Sequence, residues 1–307
     1  MTQSREPIES EELDVTVVLP VYNEEGHVVA EIDRIRAAME DSGFSYEILV
    51  IDDGSSDGSH EILLGIPDIR LITFAENHGT GTSRRVGTNA ARGRIVVWTD
   101  ADMTYPNDRI PDLVAQLENC DQVVGARTSE QGTAKLFRVP AKWTIRKLAE
   151  YLTRSRIPDL NSGLRAFRRD VGIQFTHLLP TGFSCVTTLT MAFLANGYCV
   201  RYMDIEYNKR AGKSKFHWRK DTRRYLTQVV RMMLSWEPLR VFLPIGMLLF
   251  VGASVKLGVD WATRDFRLAS NTLLLYFAAF QVIVLGLLAD LIVRQNRPRQ
   301  MIPPRTR

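Results

Sequence analysis

The sequence predicts an α/β fold: an open, doubly wound sheet with helices on both faces, followed by a hairpin of two membrane-spanning helices. Three observations carry this expectation. Short β-branched runs recur in the N-terminal half, each closed by polar or turn residues. Helical spacing of apolar residues fills the intervals between them. Near the C-terminus lie two apolar segments, each of about 20 residues, long enough to cross a bilayer core of roughly 30 Å.

Residues 1–13, with "MTQSREPIESEE", are polar and acidic, lack an apolar h-region and are read as a flexible tail. "VTVVLPVY", "YEILVIDD" and "GRIVVWTD" are apolar throughout, as strands buried on both faces are, which implies a parallel sheet. "EEGHVVAEIDRIRAAMEDSG" sets Val28, Val29, Ile32, Ile35 and Met39 at helical spacing and stops at Gly43. "SDGSHEILLGI" reads as a shorter capped helix. The order β-α-β-α-β gives an open sheet whose ligands bind outside the carboxyl ends of the strands. "PVYNEE", "DDGSSDGS" and "DADMTYP" all fall at such ends, so the three are expected to share one cleft.

Basic helices follow. "FRVPAKWTIRKLAEYLTRSR", residues 137–156 with a helix expected at about 138–157, and "HWRKDTRRYLTQVVRMMLSW", within 217–237, mix Trp and Leu with Lys and Arg. Such faces suit helices in a membrane interface, or ordinary surface helices with a solvated charged side. The adjoining apolar segments favour the membrane and lipid headgroups over nucleic acid. "PLRVFLPIGMLLFVGASVKLGV" and "NTLLLYFAAFQVIVLGLLADLIV" hold the two spans expected at 239–293; the alternative, two core helices of a soluble domain, draws some support from Lys256, Gln281 and Asp290. Lys256 and Asp290 sit near segment ends, where side chains reach the interface or pair internally. Arginines cluster before the first span and in the 294–307 tail. The link between spans offsets its two arginines with two aspartates, so both termini are expected in the cytoplasm.

The composition is that of a folded protein: 45% apolar, 24% charged, net charge +4. Three cysteines at unrelated spacings suit reduced thiols rather than a disulfide framework or a zinc site. The five histidines are scattered with no ligand spacing.

The acid pair Asp100 and Asp102 leaves a strand at i and i+2. Two such carboxylates can share Mg²⁺ or Mn²⁺ with substrate phosphates, or stand as solvated acids before a helix cap at Asn107. Asp52 and Asp53 close another strand, where they can accept hydrogen bonds from a base or ribose, or serve the turn itself. "GTGTSRRVG" is glycine-rich but lacks the Lys-Ser/Thr of a P-loop.

"VVLPVYNEEGHV", "VIDDGSSDGS", "NHGTGTSRRVG", "DADMTYP", "NSGLRAFRR" and "YNKRAGKSKF" come in the order seen in family 2 glycosyltransferases of the GT-A fold. More narrowly, the chain resembles the dolichol-phosphate mannose synthase branch, the polyprenyl-phosphate glycosyltransferases, over residues 14 to about 237. The resemblance implies a catalytic domain at 14–216 and an inverting enzyme. It would move one sugar from GDP-mannose or a UDP-hexose or UDP-N-acetylhexosamine to polyprenyl or dolichyl phosphate, with Mg²⁺ or Mn²⁺. It places Pro20, Tyr22, Asn23 and Glu24 in the first nucleotide-binding segment and Asp52 and Asp53 at the nucleobase and ribose. Asp100 and Asp102 match the metal motif, with Asp102 the direct ligand and Ala101 between them. Gly81 and Ser214 complete the nucleotide-sugar set. Arg127 matches a basic residue near the phosphates, and Arg210 and Lys213 a basic segment closing over the donor. These residues, with the acid pair, form the catalytic set. The implied setting is the plasma membrane of a prokaryote.

Two departures stand out. The mannose synthases usually carry Leu-Gln where this chain has Met103 and Thr104, which leaves the donor sugar open. Many inverting relatives have an acid in the segment matching "TGFSCVTTLTMAF", where this chain has none. A lipid monophosphate is already anionic near pH 7 and needs little general-base help. The alternatives are a family 2 enzyme acting on a saccharide hydroxyl and a non-catalytic membrane scaffold of the same fold. A processive polymer synthase would need more spans and a Q-x-x-R-W segment.

Overall fold

The computed structural model describes residues 13–128, 146–147, 149–151, 155–208, 227, 230–231, 234–263 and 269–296. Arg210, Lys213, Ser214, most of the two interfacial segments and the 297–307 part of the tail lie outside the described residues. The chain divides into two compact units, Met1–Tyr225 and Leu226–Arg307.

The first unit is built on a seven-stranded sheet. Its strands are β1 (Val15–Val21), β2 (Tyr46–Asp52), β3 (Ile69–Thr73), β4 (Ile95–Trp98), β5 (Gln122–Arg127), β6 (Arg165–Arg168) and β7 (Val200–Ile205). The order is β3-β2-β1-β4-β6-β5-β7, and β6 alone runs antiparallel to its neighbours. Among the described residues its α-helices include α1 (Val28–Glu40), α2 (Ser59–Leu64), α3 (Thr80–Ala90), α4 (Ile110–Ala115), α5 (Arg169–Ile173) and α6 (Cys185–Ala195).

The three apolar runs form β1, β2 and β4, side by side and parallel. Residues 15–19 are wholly buried, as a strand covered on both faces requires. Val15, Val17 and Leu19 join Val28, Ile32, Ile35 and Met39 of α1 in the core. Val29, counted on the same apolar face in the sequence, is 44% exposed. The chain also inserts β3 and α3 between α2 and β4, two elements beyond the simple β-α-β-α-β reading. β3 is an edge strand whose "IRLIT" run carries Arg70 and stays half-exposed, so its pattern is too mixed to stand out. The glycine-rich "GTGTSRRVG" opens α3, with Gly79 as its N-cap and Gly87 packed on Val18 of β1.

The second unit is an antiparallel pair, α7 (Leu239–Thr263) and α8 (Ser270–Asn296), both long and apolar enough to cross a membrane. Leu248, Leu274 and Phe280 are each more than 60% exposed, a surface suited to lipid. The charges inside the spans are paired. Lys256 Nζ lies 3.1 Å from both Asp260 oxygens, the Thr272 hydroxyl donates to Asp260 across the hairpin, and Arg294 Nε bonds Asp290 at 2.6 Å.

Candidate active site

The candidate site lies where β1 and β4 part. Their last pair is Val18 with Trp98, and the Val18 carbonyl faces β4, accepting from the Thr99 N–H. Backbone groups alternate along a strand, so Pro20 also faces β4, beyond the last pair. Its missing N–H therefore removes no ladder bond, and the proline sits where the strands separate.

The loop after β1 is stitched to the loop after β2. Asn23 adopts a left-handed φ of 54°, which asparagine tolerates better than most residues. Its Oδ1 accepts from Ser56 N–H at 2.8 Å and its own N–H bonds Ser55 Oγ at 3.1 Å. Glu24 N–H bonds Ser59 Oγ, and Glu25 Oε2 accepts from Gly58 N–H, both at 2.9 Å. Tyr22 and Glu24 are half-buried on this rim.

Asp52 and Asp53 lie deeper, 1% and 2% exposed. Asp52 accepts from Ser55 N–H at 3.0 Å and pairs with His60 Nδ1 at 2.9 Å. Asp53 spends both oxygens on the N–H groups of His78 and Gly79, each at 2.9 Å, which fixes the turn entering α3. Burial pushes the Asp53 carboxyl above its ordinary range despite those donors. Gly81 closes the same corner. Its N–H donates to the Thr181 carbonyl at 2.8 Å, and a β-carbon there would stand 2.0 Å from the Pro180 carbonyl oxygen. The acid-free "TGFSC" segment is thereby held against α3.

The acid pair sits at the end of β4. Asp100 Oδ1 bonds Arg84 Nη2 at 2.6 Å. That guanidinium is 2% exposed, lies 5.4 Å from the Trp98 ring and contacts Cys185 at the start of α6. Burial alone would weaken its hold on the proton, but Asp100 and Cys185 outweigh burial and raise it. Ala101 is buried, and Asp102 is 6% exposed with the Thr104 hydroxyl 2.5 Å from its Oδ1. Met103 takes a left-handed φ of 61°. Tyr105 accepts the Gly163 N–H at 2.7 Å on its hydroxyl, and burial pushes that phenol up. Gly163 leaves room for this approach: a β-carbon would meet Asp100 Oδ2 at 2.7 Å and Arg84 Nη2 at 2.9 Å. Beneath lies Glu31 of α1, 0% exposed, accepting from Asn107 Nδ2, whose Oδ1 accepts from Thr99 Oγ1. Burial raises the Glu31 carboxyl. Asn107 is thus a buried bridge rather than a helix cap.

Arg127, at the end of β5, is held in a fork by Asp159, Nε at 2.6 Å and Nη2 at 2.9 Å, and lies 5.2 Å from the Tyr207 ring. Asp159 is kept below the usual carboxylate range, because the fork and the Asn161 amide outweigh its burial.

The structure thus gathers Pro20 to Glu24, Asp52, Asp53, Gly81 and Asp100 to Asp102 around the carboxyl ends of β1, β2 and β4. Sequence reasoning did not single out Arg84, Tyr105, Asp159 or Gly163 for roles here, and it marked Thr104 only as a departure that leaves the donor sugar open. Arg84 and Gly163 lay within the quoted "GTGTSRRVG" and "NSGLRAFRR", but nothing local marks them as partners of Asp100.

Residues 16–174, more than half of the chain, match the family model described as glycosyl transferase family 2. The chain belongs to glycosyl transferase family 2. It is a glycosyltransferase, and the GT-A fold implied by its motifs is the one observed. A second model, the GtrB C-terminal hairpin, matches residues 237–294, which span α7 and nearly all of α8. The family 2 chain is 30% identical to an undecaprenyl-phosphate 4-deoxy-4-formamido-L-arabinose transferase of Aeromonas hydrophila, over 94% of this chain and 92% of that protein. It is equally similar to the protein of that name from Pectobacterium carotovorum, with the same coverage. Among solved structures it resembles glucosyl-3-phosphoglycerate synthase from Mycobacterium tuberculosis, with a TM-score of 0.57 and 20% identity over 71% of this chain and 79% of that one. That likeness concerns the fold.

The donor set of this family 2 site suits a hard cation. Asp100 and Asp102 offer only oxygen, and no cluster of three His, Cys, Asp or Glu ligands occurs among the described residues. Magnesium-type sites with two carboxylates fill their remaining positions from phosphates and water.

Proposed function

We propose that this enzyme is an inverting transferase that moves a single sugar from a nucleotide donor to a polyprenyl phosphate, with Mg²⁺ or Mn²⁺ at Asp100 and Asp102. One observation carries the reading: relatives named for transfer to undecaprenyl phosphate align over 94% of the chain, through the catalytic unit and the apolar hairpin alike. The chemistry of the cleft supports it. The segment pinned against α3 by Gly81 carries no acid. A phosphate acceptor is itself the anionic nucleophile, and a carboxylate at that position would repel it.

The cation would act as Lewis acid and template for the donor diphosphate. Asp102 is proposed as its direct ligand. Asp100, bonded to buried Arg84, is the second carboxylate and is held in place by that pair. Pro20, Tyr22, Asn23, Glu24, Asp52, Asp53, Gly81 and Ala101 would line the nucleotide end. Arg210, Lys213 and Ser214 would add positive charge and a hydroxyl at the phosphates. Arg127 stays a candidate for that end, carried on the Tyr207 ring. The hairpin would tether the enzyme to the membrane that holds its lipid, with both termini in the cytoplasm and a prokaryotic plasma membrane as the setting.

The test uses membranes containing the full chain, polyprenyl phosphate and a panel of labelled sugar nucleotides: GDP-mannose, UDP-glucose, UDP-N-acetylglucosamine and a pentose nucleotide. Label should enter the organic-extractable lipid. Asp102→Ala should lower transfer by at least 100-fold, the scale of losing a correctly placed catalytic group. Near wild-type turnover would overturn the metal role. Label found only in water-soluble products would overturn the acceptor.

A further inference from the structure

Thr104 stands where the resemblance to the mannose synthases leads one to expect a glutamine close to the donor. In this protein the residue is turned inward. It is 1% exposed. Its hydroxyl donates to Asp102 Oδ1 at 2.5 Å, and its N–H reaches the same oxygen at 3.3 Å. Its carbonyl accepts the Asn208 N–H at 3.0 Å. The Tyr207 hydroxyl also interacts with its side chain, and the Tyr207 ring packs edge-on against Tyr105 at 5.2 Å. N–H, carbonyl and hydroxyl of Thr104 are thus all directed into the protein.

The backbone is shaped for this arrangement. Met103, between the acid and the threonine, adopts φ 61°, a region disfavoured for a residue with a side chain. That turn folds Thr104 back onto Asp102. The consequence for Asp102 is orientational. The terminal torsion of an aspartate is broad, so an unrestrained carboxylate swings about its own bond. A short hydrogen bond from a buried hydroxyl to a carboxylate oxygen is directional, and it fixes the carboxylate plane.

We propose that Thr104 is a positioning residue. It anchors one oxygen of Asp102 so that the carboxylate is presented to a divalent cation in a single orientation, and it does not select the donor sugar. The proposal rests on the reading of Asp102 as a metal ligand. It relocates the choice of sugar to residues other than 104, although this position differs from the mannose synthases.

The test is Mn²⁺ binding to the purified full-length protein in detergent, followed by loss of the free-ion electron paramagnetic resonance signal. It is run without nucleotide and with UDP or GDP. Partners that orient a metal ligand are worth about 10–100-fold in affinity. Thr104→Val, which keeps shape and loses the hydroxyl, should weaken Mn²⁺ binding at least tenfold, with the melting temperature close to wild type. Thr104→Ser, which restores the hydroxyl, should bind within about threefold of wild type on the same scale. If wild type binds no Mn²⁺, or Asp102→Ala binds it as wild type does, the metal reading itself fails. If binding depends on Asp102 but Thr104→Val binds as tightly as wild type, the positioning proposal alone fails. Equal loss in Thr104→Val and Thr104→Ser, with a lowered melting temperature in both, also overturns it, because the effect is then one of folding. A Thr104→Gln protein that changes which labelled sugar nucleotide is used overturns the second half of the proposal.

Discussion

Gly163→Ala tests the geometry of the acid pair without touching a charge. The added β-carbon would stand 2.7 Å from Asp100 Oδ2, 2.9 Å from Arg84 Nη2 and 3.1 Å from Tyr105 Cε2. Favourable contact begins near about 3.5 Å, so the carboxylate oxygen must retreat by roughly 0.8 Å. Arg84 has little room to follow, since it is 2% exposed, set against Trp98 and in contact with Cys185. The displacement therefore falls on Asp100 and strains its 2.6 Å bond to Arg84. A misplacement of about 1 Å at a reacting centre costs on the order of 100-fold in rate. Asp100 is proposed as one of two ligands rather than the reacting atom, so a loss of about 10- to 100-fold is expected on the same basis. Overpacking should also cost about 1–3 kcal/mol of stability. Initial rates of sugar transfer to lipid, measured over a range of Mn²⁺ concentrations, give the first quantity, and thermal unfolding gives the second. A Gly163→Ala enzyme with wild-type rate and wild-type metal dependence would refute the argument that Gly163 sets the place of Asp100.

Two further predictions concern stability. Asp159→Asn breaks the Arg127 fork and should cost about 1.5–3 kcal/mol near neutral pH, the range for hydrogen bonds to a charged group. The carboxyl of Asp159 is depressed in the folded state, so its contribution is present above the ordinary aspartate value near about 3.9 and is lost as pH falls through the lower folded value. The gap in melting temperature between wild type and variant should therefore close on acidification below that value; a gap independent of pH would count against the fork. In the hairpin, Asp260→Leu leaves Lys256 and Thr272 without their shared carboxylate and should lower the melting temperature in detergent by several degrees, whereas Lys256→Leu combined with Asp260→Leu should recover most of it. Equal melting of the single variant and wild type would show that this polar contact adds nothing to the hairpin.

Much of the cleft was legible in the sequence because its parts are local. A β-branched run ending in Asp-Asp or Asp-x-Asp marks both a strand and its carboxyl end, and parallel strands bring such ends together. Asp52, Asp53, Asp100 and Asp102 are gathered by that rule alone. β3 escaped because an edge strand interrupted by Arg70 carries too weak a pattern. Asn107, which the sequence offered only as a helix cap in the alternative to a metal site, is a buried bridge to Glu31, a residue 76 positions away that no periodicity could pair with it.

By itself the sequence determined the sheet's central strands, the placing of both acidic turns at one end of it, and two apolar segments long enough to cross a bilayer. Each depends on residue type and short-range spacing, which backbone geometry converts directly into position. Only the tertiary structure decided how the acids are held. Arg84 reaches Asp100 across 16 residues, Asp159 reaches Arg127 across 32, and Gly163 reaches Tyr105 across 58. It also turned Thr104, close in sequence to Asp102, inward through the left-handed turn at Met103. These pairings arise because a charge or donor removed from water must find a partner wherever packing brings one. That requirement acts in three dimensions and leaves no period in the chain.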